Sequence, residues 1–377
     1  MEHITFNYHM PVSIHFSTNP NPVITDFIDN PDDFLLIVSN SFCSNFPGIV
    51  DKFKNHINIS SQNSHYPDVA NLASIKLPNC KNVIGIGGGS VLDTAKALFA
   101  RLITDDKILL TDMLKDATLL DPFLSKRQER QLILLPTTFG TSSEVTPWGT
   151  IWNWEIKKKF SLSHPFLFAD KALVFPELSA SLTKEVKAST GLDVFSHALE
   201  SYWNKSSYYL TKQYSLTAIK LCLEYLPIVV SDPLSSDART HMAKASLLAG
   251  KAFSQTKTAT AHAISYPLTL FHGISHGIAC GITLGEIFDL IYPENKKDLW
   301  PILELMQKYY GEQGMSFQEC FKNFLTKCNI PTHLREYGIK KEDLQKVVDN
   351  SFHSGRSENM NYPILKKDIF NILERIR

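Results

Sequence analysis

The chain of 377 residues is 44% hydrophobic and 20% charged, with Lys plus Arg and Asp plus Glu both at 38. At about 150 residues per domain this length implies two domains, each long enough to bury a core. The zero net charge leaves no general electrostatic footprint for nucleic acid or an anionic membrane, so neither is expected as a partner and any anion site must be local. No uninterrupted apolar run reaches the roughly 18 residues of a membrane span, so no transmembrane helix is expected. The opening MEHITFNYHM lacks the basic and apolar regions of a signal peptide. Cys43, Cys80, Cys222, Cys280, Cys320 and Cys328 form no CxxC pair, which points to reduced, mostly buried thiols in a cytoplasmic protein.

The first half alternates. FLLIV (34–38), VIGI (83–86), LILL (132–135) and ALVF (172–175) are short apolar runs that read as buried strands, and the stretches 48–56 and 67–76 read as helices. Alternating strands and helices imply a mainly parallel sheet covered on both faces. From Thr183 onward the spacing is helical, as in 209–226, 239–252 and 299–310, and nothing alternates like a strand. The expected division is therefore an α/β domain over 1–180 and an all-helical domain over 181–377, with the boundary near Pro176–Ser181.

VIGIGGGS (83–90) followed by VLDTAKALFARL is a strand, a glycine-rich turn and a helix whose Leu92, Ala95, Leu98, Phe99 and Leu102 share one face. Glycines admit a phosphate to the backbone, and the free amides of the helix N-terminus bind it. The run departs from GxGxxG because Ser90 stands at the third glycine, and a tight turn with no ligand is the plain alternative. PTTFGTSSEVTPW (136–148) follows the next strand and places Thr137, Thr138, Thr141, Ser142 and Ser143 around Gly140. Two such turns at the carboxyl edge of one parallel sheet point to a nucleotide site.

Downstream, GLDVFSHALE (191–200) puts Asp193 and His197 four residues apart on one helix face. His262 and His276 are separated by 14 residues, about 21 Å on a straight helix, too far for one metal. Pro267 and Gly273 offer the breaks that would fold the chain back. One carboxylate and three imidazoles suit Fe²⁺ or Zn²⁺. Buried, hydrogen-bonded histidines and a local Asp–His pair are the alternative, and His272 competes as a loop or substrate-contact residue.

Taken together, GGGSVLDTAK (87–96), LPTTFGTSSEVT (135–146), GLDVFSHALESY (191–202) and HAISYPLTLFHGISHG (262–277) resemble the iron-containing (group III) alcohol dehydrogenase family, which shares its fold with dehydroquinate synthase. The resemblance implies a dinucleotide-binding α/β domain, a helical metal-binding domain and an active site in the cleft between them. It implies Fe²⁺ (or Zn²⁺) on Asp193, His197, His262 and His276, and NAD(P)H on Gly87, Gly88, Gly89, Ser90, Asp93, Thr137, Thr138 and Ser143, with Lys159 near the cofactor. A homodimer acting on a small-molecule alcohol or aldehyde is the corresponding expectation.

Three positions depart from the family pattern. Tyr266 stands where many members carry a second histidine four residues after the third ligand, and HAISYPLT, TPWGTIW, KKKFSL, HALESYWNKSS and TKTATAH are similar to the phosphonoacetaldehyde reductase branch. The first strand ends in Ser39 and Asn40 rather than an acidic residue, so Asn40 meets the adenosine ribose and NADP is tolerated. The junction stretch reads Phe175-Pro176. The implied reaction is reversible hydride transfer, with Tyr266 a candidate proton donor. Lys257 and Arg356 are candidate cations for a phosphonate, with phosphonoacetaldehyde reduced to 2-hydroxyethylphosphonate. A general short-chain alcohol dehydrogenase is the alternative. A dehydroquinate synthase-type lyase fits less well, because it uses a carboxylate and two histidines. A non-catalytic relative is disfavoured by the complete ligand set.

Overall fold

Apolar runs bounded by turns become strands in the computed structural model, which describes residues 6–19, 24–59, 67–352 and 356–377. The strands are Ser13–Phe16 (β1), Phe34–Ser39 (β2), Asn55–Ile59 (β3), Asn82–Gly87 (β4), Leu132–Pro136 (β5), Trp148–Asn153 (β6), Lys158–Ser163 (β7) and Lys171–Val174 (β8). Six of them form one wholly parallel sheet in the order β1-β8-β5-β4-β2-β3, and β6 and β7 pair antiparallel as a separate hairpin. The central strands are buried on both faces, which is why they read as continuous apolar runs.

Residues 48–56 were expected to be helical, and the structure corrects this. Pro47–Val50 makes a single turn, and Asn55 and His56 open the edge strand β3. There His56 and Asn58 are exposed while Ile59 is buried, a period of two. The helix after the glycine turn, Gly89–Thr104 (α1), departs from the expected one-sided burial, because Thr94, Lys96 and Ala97 are buried as well as the apolar face. β2 leads to β3 on one side, and β4 leads to β5 on the other. The order therefore reverses between β2 and β4, and ligands of open α/β sheets bind at the carboxyl ends of such a pair.

The helical unit runs through Lys184–Tyr202 (α2), Tyr209–Ser231 (α3), Ser236–Thr256 (α4), Thr260–His272 (α5), His276–Gly281 (α6), Leu284–Tyr310 (α7), Phe317–Lys327 (α8), Leu344–Asn350 (α9) and Lys366–Arg375 (α10). Phe195, Leu226, Phe288, Phe317, Phe321 and Phe324 are among the residues of its single large core. α3 is long and apolar enough to cross a membrane by length and composition alone. Its Ala218, Ile219, Cys222, Leu223, Leu226 and Val230 belong to that core.

Two compact units result. One comprises residues 10–138 and 142–179, and the other comprises 180–377 together with residues 6–9 and the excursion Phe139–Thr141. The break between α5 and α6 falls at Gly273, whose φ of +70° is left-handed and free of strain only for glycine. Pro267, the other break expected from sequence, lies inside α5 without ending it.

Candidate functional site

Within the helical unit, three helices converge on one point. Asp193 from α2, His262 from α5, and His276 and Cys280 from α6 bring their donor atoms within 4.8 Å of one another. α6 can reach α2 because its contact residues are glycines: a Cβ on Gly277 would overlap the Ser189 carbonyl, and one on Gly281 would overlap the Leu192 side chain. The hydroxyl of Ser189 also donates to that of Ser275 at 3.0 Å. His262 Nε2 lies 3.6 Å from Asp193 Oδ1, and Cys280 Sγ lies 3.7 Å from both ring nitrogens of His276. Donors held about 2.0–2.3 Å from one ion stand roughly 3–4 Å apart, so these separations fit a single metal. Asp193 Oδ1 and His262 Nε2 are buried with no hydrogen-bond partner among the described residues, and such atoms carry a cost that a bound cation removes. His276 is the one half-buried member, which marks the side open to water or substrate.

His197 stands just outside this group. Its ring stacks on His262 at 4.7 Å between centroids and on Phe253 at 4.1 Å, and its Nε2 is 3.8 Å from Asp193 Oδ1. Its Nδ1 donates to the Gly140 carbonyl at 3.2 Å, so the lone pair belongs to Nε2, which faces Asp193.

Glu200, one helical turn beyond His197, fixes His262 in the same way. Its Oε2 accepts from His262 Nδ1 at 2.5 Å and from the Ala259 amide at 2.9 Å. Its Oε1 accepts from the amides of Ala261 at 2.6 Å and His262 at 3.3 Å. A fully buried carboxylate thus caps the N-terminus of α5 and leaves the His262 Nε2 lone pair directed into the donor group, as carboxylate–histidine–metal arrangements require. Sequence reasoning missed Glu200. The available signal was its place three residues after His197 on the buried face of α2.

The charges are mutually set. Burial raises the Asp193 carboxyl, but His197, His262 and His276 outweigh it and hold it well below the ordinary range. Burial pushes His197 down to about 4, against the pull of Asp193. Burial also lowers His262, yet Cys280, Glu200 and Asp193 together hold it above the ordinary histidine value.

Beside the donors, Tyr266 lies parallel to His276 with centroids 6.3 Å apart, and the Arg356 guanidinium carbon sits 5.2 Å from the centroid of the Tyr266 ring. Arg356 also donates through Nη1 to Thr258 Oγ1 at 2.9 Å, and Asn359 holds the Thr258 carbonyl at 2.7 Å. Lys257 is exposed, and the structure does not bring its side chain to the group. Its amide donates to the Phe253 carbonyl at 2.7 Å, and its carbonyl accepts from Thr256 Oγ1 at 3.0 Å and from Asn204 at 3.3 Å. Its backbone sits at φ +65°, ψ −179°, a region that L residues rarely occupy. His272 ends α5 and is not among the clustered donors.

In the α/β unit the glycine turn runs from Gly87 at the end of β4 through Gly88, the N-cap of α1, into Gly89 and Ser90. The Thr137 amide donates to the Gly87 carbonyl at 2.9 Å, and a Cβ on Gly88 would come within 3.3 Å of Thr138. The two turns therefore lie side by side, with bare backbone at the start of a 16-residue helix, a shape that fits a pyrophosphate. Asn40 is exposed immediately after β2, opening the short helix Asn40–Asn45, and Lys159 lies over the Trp152 ring at 5.4 Å.

Asp93 and Ser143, read as cofactor residues, are engaged with the protein itself. The Ser143 hydroxyl donates to Asp93 Oδ1 at 2.7 Å, and the Thr150 amide donates to Oδ2 at 2.9 Å. Lys96 was missed. Fully buried, it donates to the carbonyls of Ser143, Thr146 and Trp148 at 2.6–2.8 Å and shapes the second turn. Burial drops its pKa to about 8, although Asp93 and Glu144 oppose this, and burial raises Glu144 to about 7.

Residues 23–176 match the family described as Iron-containing alcohol dehydrogenase, and residues 187–377 match Fe-containing alcohol dehydrogenase family, C-terminal. The chain belongs to the iron-containing alcohol dehydrogenase family. Within it, the sequence is 31% identical over 299 residues to long-chain-alcohol dehydrogenase 1 of Geobacillus thermodenitrificans, covering 78% of this chain and 74% of that one. It is 34% identical over 205 residues to phosphonoacetaldehyde reductase of Streptomyces viridochromogenes, covering 54% of this chain and about half, 51%, of that relative's length. Among solved structures of the same fold, sulfoacetaldehyde reductase from Bifidobacterium kashiwanohense in complex with NAD⁺ superposes with a TM-score of 0.85 at 27% identity, covering 99% of both chains.

Proposed function

We propose that this family member is a metal-dependent, NAD(P)H-linked aldehyde reductase that converts phosphonoacetaldehyde to 2-hydroxyethylphosphonate. The observation that carries the substrate class is the stack of Arg356 on Tyr266 on His276, which sets a fixed cation beside the donor group. Asp193, His197, His262 and His276 hold the metal, and Gly87, Gly88, Gly89, Ser90, Thr137 and Thr138 take the pyrophosphate. Asn40 meets the adenosine ribose, and the lack of a carboxylate at Ser39 or Asn40 supports use of NADP as well as NAD. When bound, the metal polarises the carbonyl and the reduced nicotinamide supplies the hydride.

The remaining work belongs to the chain. Arg356 spends one N–H on Thr258 and can offer its other donors to two oxygens of a tetrahedral anion, which a lysine cannot match in geometry. Tyr266 carries a hydroxyl proton on the same face of α5 as His262, one turn away, where the product oxygen needs one. The exposure of Lys257 leaves the anion-binding role to Arg356. The unpaired state of all six cysteines supports a reducing, cytoplasmic setting.

The test compares kcat/KM for phosphonoacetaldehyde, sulfoacetaldehyde and butanal in wild type and Arg356→Ala. Loss of a charge-assisted contact worth about 1.5–3 kcal/mol lowers the anionic aldehydes about 10- to 150-fold and spares butanal. A wild type that favours butanal, or a variant that loses all three in parallel, returns the protein to a general short-chain alcohol dehydrogenase. A wild type that favours sulfoacetaldehyde makes the anion a sulfonate.

A further inference from the structure

We propose that Cys280 is itself a metal donor, so that the site carries a thiolate beside Asp193, His197, His262 and His276 and favours thiophilic ions, Zn²⁺ or Co²⁺, over Fe²⁺. This inference rests on the metal reading above and adds a ligand to it. Cys280 follows His276 by four residues on α6, so both side chains rise from one face of the helix. Its sulfur is fully buried and equidistant, at 3.7 Å, from the two nitrogens of the His276 ring. It stands with His262 and Asp193 inside one 4.8 Å group, whereas His197 does not.

Two further observations show that this is a place for a cation rather than a packed thiol. The atoms Asp193 Oδ1 and His262 Nε2 are buried and unpartnered among the described residues, and the tautomer of His262 is fixed by Glu200 so that Nε2 presents a lone pair. An interior sulfur that served packing alone would sit among apolar groups. Cys222, Cys320 and Cys328 do so, in the large core of the helical unit. Thiolate is a soft donor and shifts a nitrogen–oxygen site toward zinc and its analogues. On binding, the metal takes the place of the thiol proton, which leaves to solvent, and no electron is transferred.

The experiment uses the full chain with its metal exchanged for Co²⁺ alone. At one Co²⁺ per chain, the wild type shows an intense near-ultraviolet sulfur-to-cobalt charge-transfer band, and Cys280→Ser keeps the cobalt while losing the band. In a parallel competition between Zn²⁺ and Fe²⁺, wild type retains more zinc relative to iron than Cys280→Ser does. A wild-type protein loaded with Co²⁺ that shows no such band overturns the role of Cys280 and leaves the metal site standing, as does an identical zinc-to-iron ratio in the two proteins. Failure to bind Co²⁺ at all overturns both. If Cys280→Ser does not fold, the wild-type spectrum alone decides, because Cys280 is the one cysteine found in a donor group among the described residues.

Discussion

Replacing Glu200 by glutamine should cost more than the loss of one charge. Each carboxylate oxygen accepts two donors: Ala259 N and His262 Nδ1 on Oε2, Ala261 N and His262 N on Oε1. Whichever oxygen the amide nitrogen replaces, two N–H groups then face a third donor in a site with no water access, since Glu200 is 0% exposed. At about 1–3 kcal/mol for each orphaned buried donor, the expected loss is about 4 kcal/mol. His262 can relieve one conflict by changing tautomer, but Nε2 then carries the proton and is lost as a ligand. With a unit of this size shifting about 2–4 °C per kcal/mol, the transition of the helical unit falls by about 8–16 °C. Metal affinity measured by chelator competition drops about 10- to 100-fold, the usual cost of removing an outer-shell partner. The measurement is calorimetry on the metal-free protein alongside that competition. A Glu200→Gln protein within about 2 °C of wild type and with unchanged metal affinity would refute this account of the carboxylate.

Three other outcomes are expected. Gly277→Ala forces the new methyl into the Ser189 carbonyl, so α6 must lift from α2; urea unfolding should show a loss of about 3 kcal/mol or more, and bound metal should fall with it. Retention of full metal content would contradict the argument. Glu144 is raised from 4.5 to about 7 by burial, so its contribution to stability is complete below about pH 4.5 and is lost as pH rises through about 7. Glu144→Gln should flatten a decline of up to about 3 kcal/mol across that window, and an unchanged pH profile would count against it. Lys257→Gly relieves a conformation that costs about 1–3 kcal/mol and should raise the melting temperature. A fall would show that the exposed side chain makes a stabilising contact.

The sequence carried the fold in proportion to how strongly burial shapes local pattern. β2, β4, β5 and β8 are buried along their length, and their runs stand out. β3 lies at the sheet edge, where His56 and Asn58 face water, so its stretch blends into the preceding polar turn and reads as helix. The hairpin of β6 and β7 passed unremarked because its alternation is broken by the turn at Trp154–Lys157. Spacing identified Asp193 and His197 on one helix, and the need for a break between His262 and His276. It did not reveal Glu200, Lys96 or Cys280. Buried charges acquire their roles from partners distant in the chain, 62 residues away for Glu200 and His262 and 47 for Lys96 and Ser143, and Cys280, though four residues from His276, meets Asp193 and His262 from two other helices. Asp93 and Ser143 show the reverse, since both lie in the expected turns yet bind one another.

The seating of α6 on α2 bears on how such a sequence can drift over generations. Along one six-residue helix, two positions determine the chemistry, His276 and Cys280, and the two that follow them, Gly277 and Gly281, determine the distance. A change at a chemistry position exchanges one donor for another and leaves the helix in place, so a lineage can move between metals by single substitutions. A change at a spacing position has no small first step, because even alanine meets a backbone carbonyl at 277 and a leucine side chain at 281. Descendants of this chain should therefore diverge in metal preference well before they diverge at either glycine.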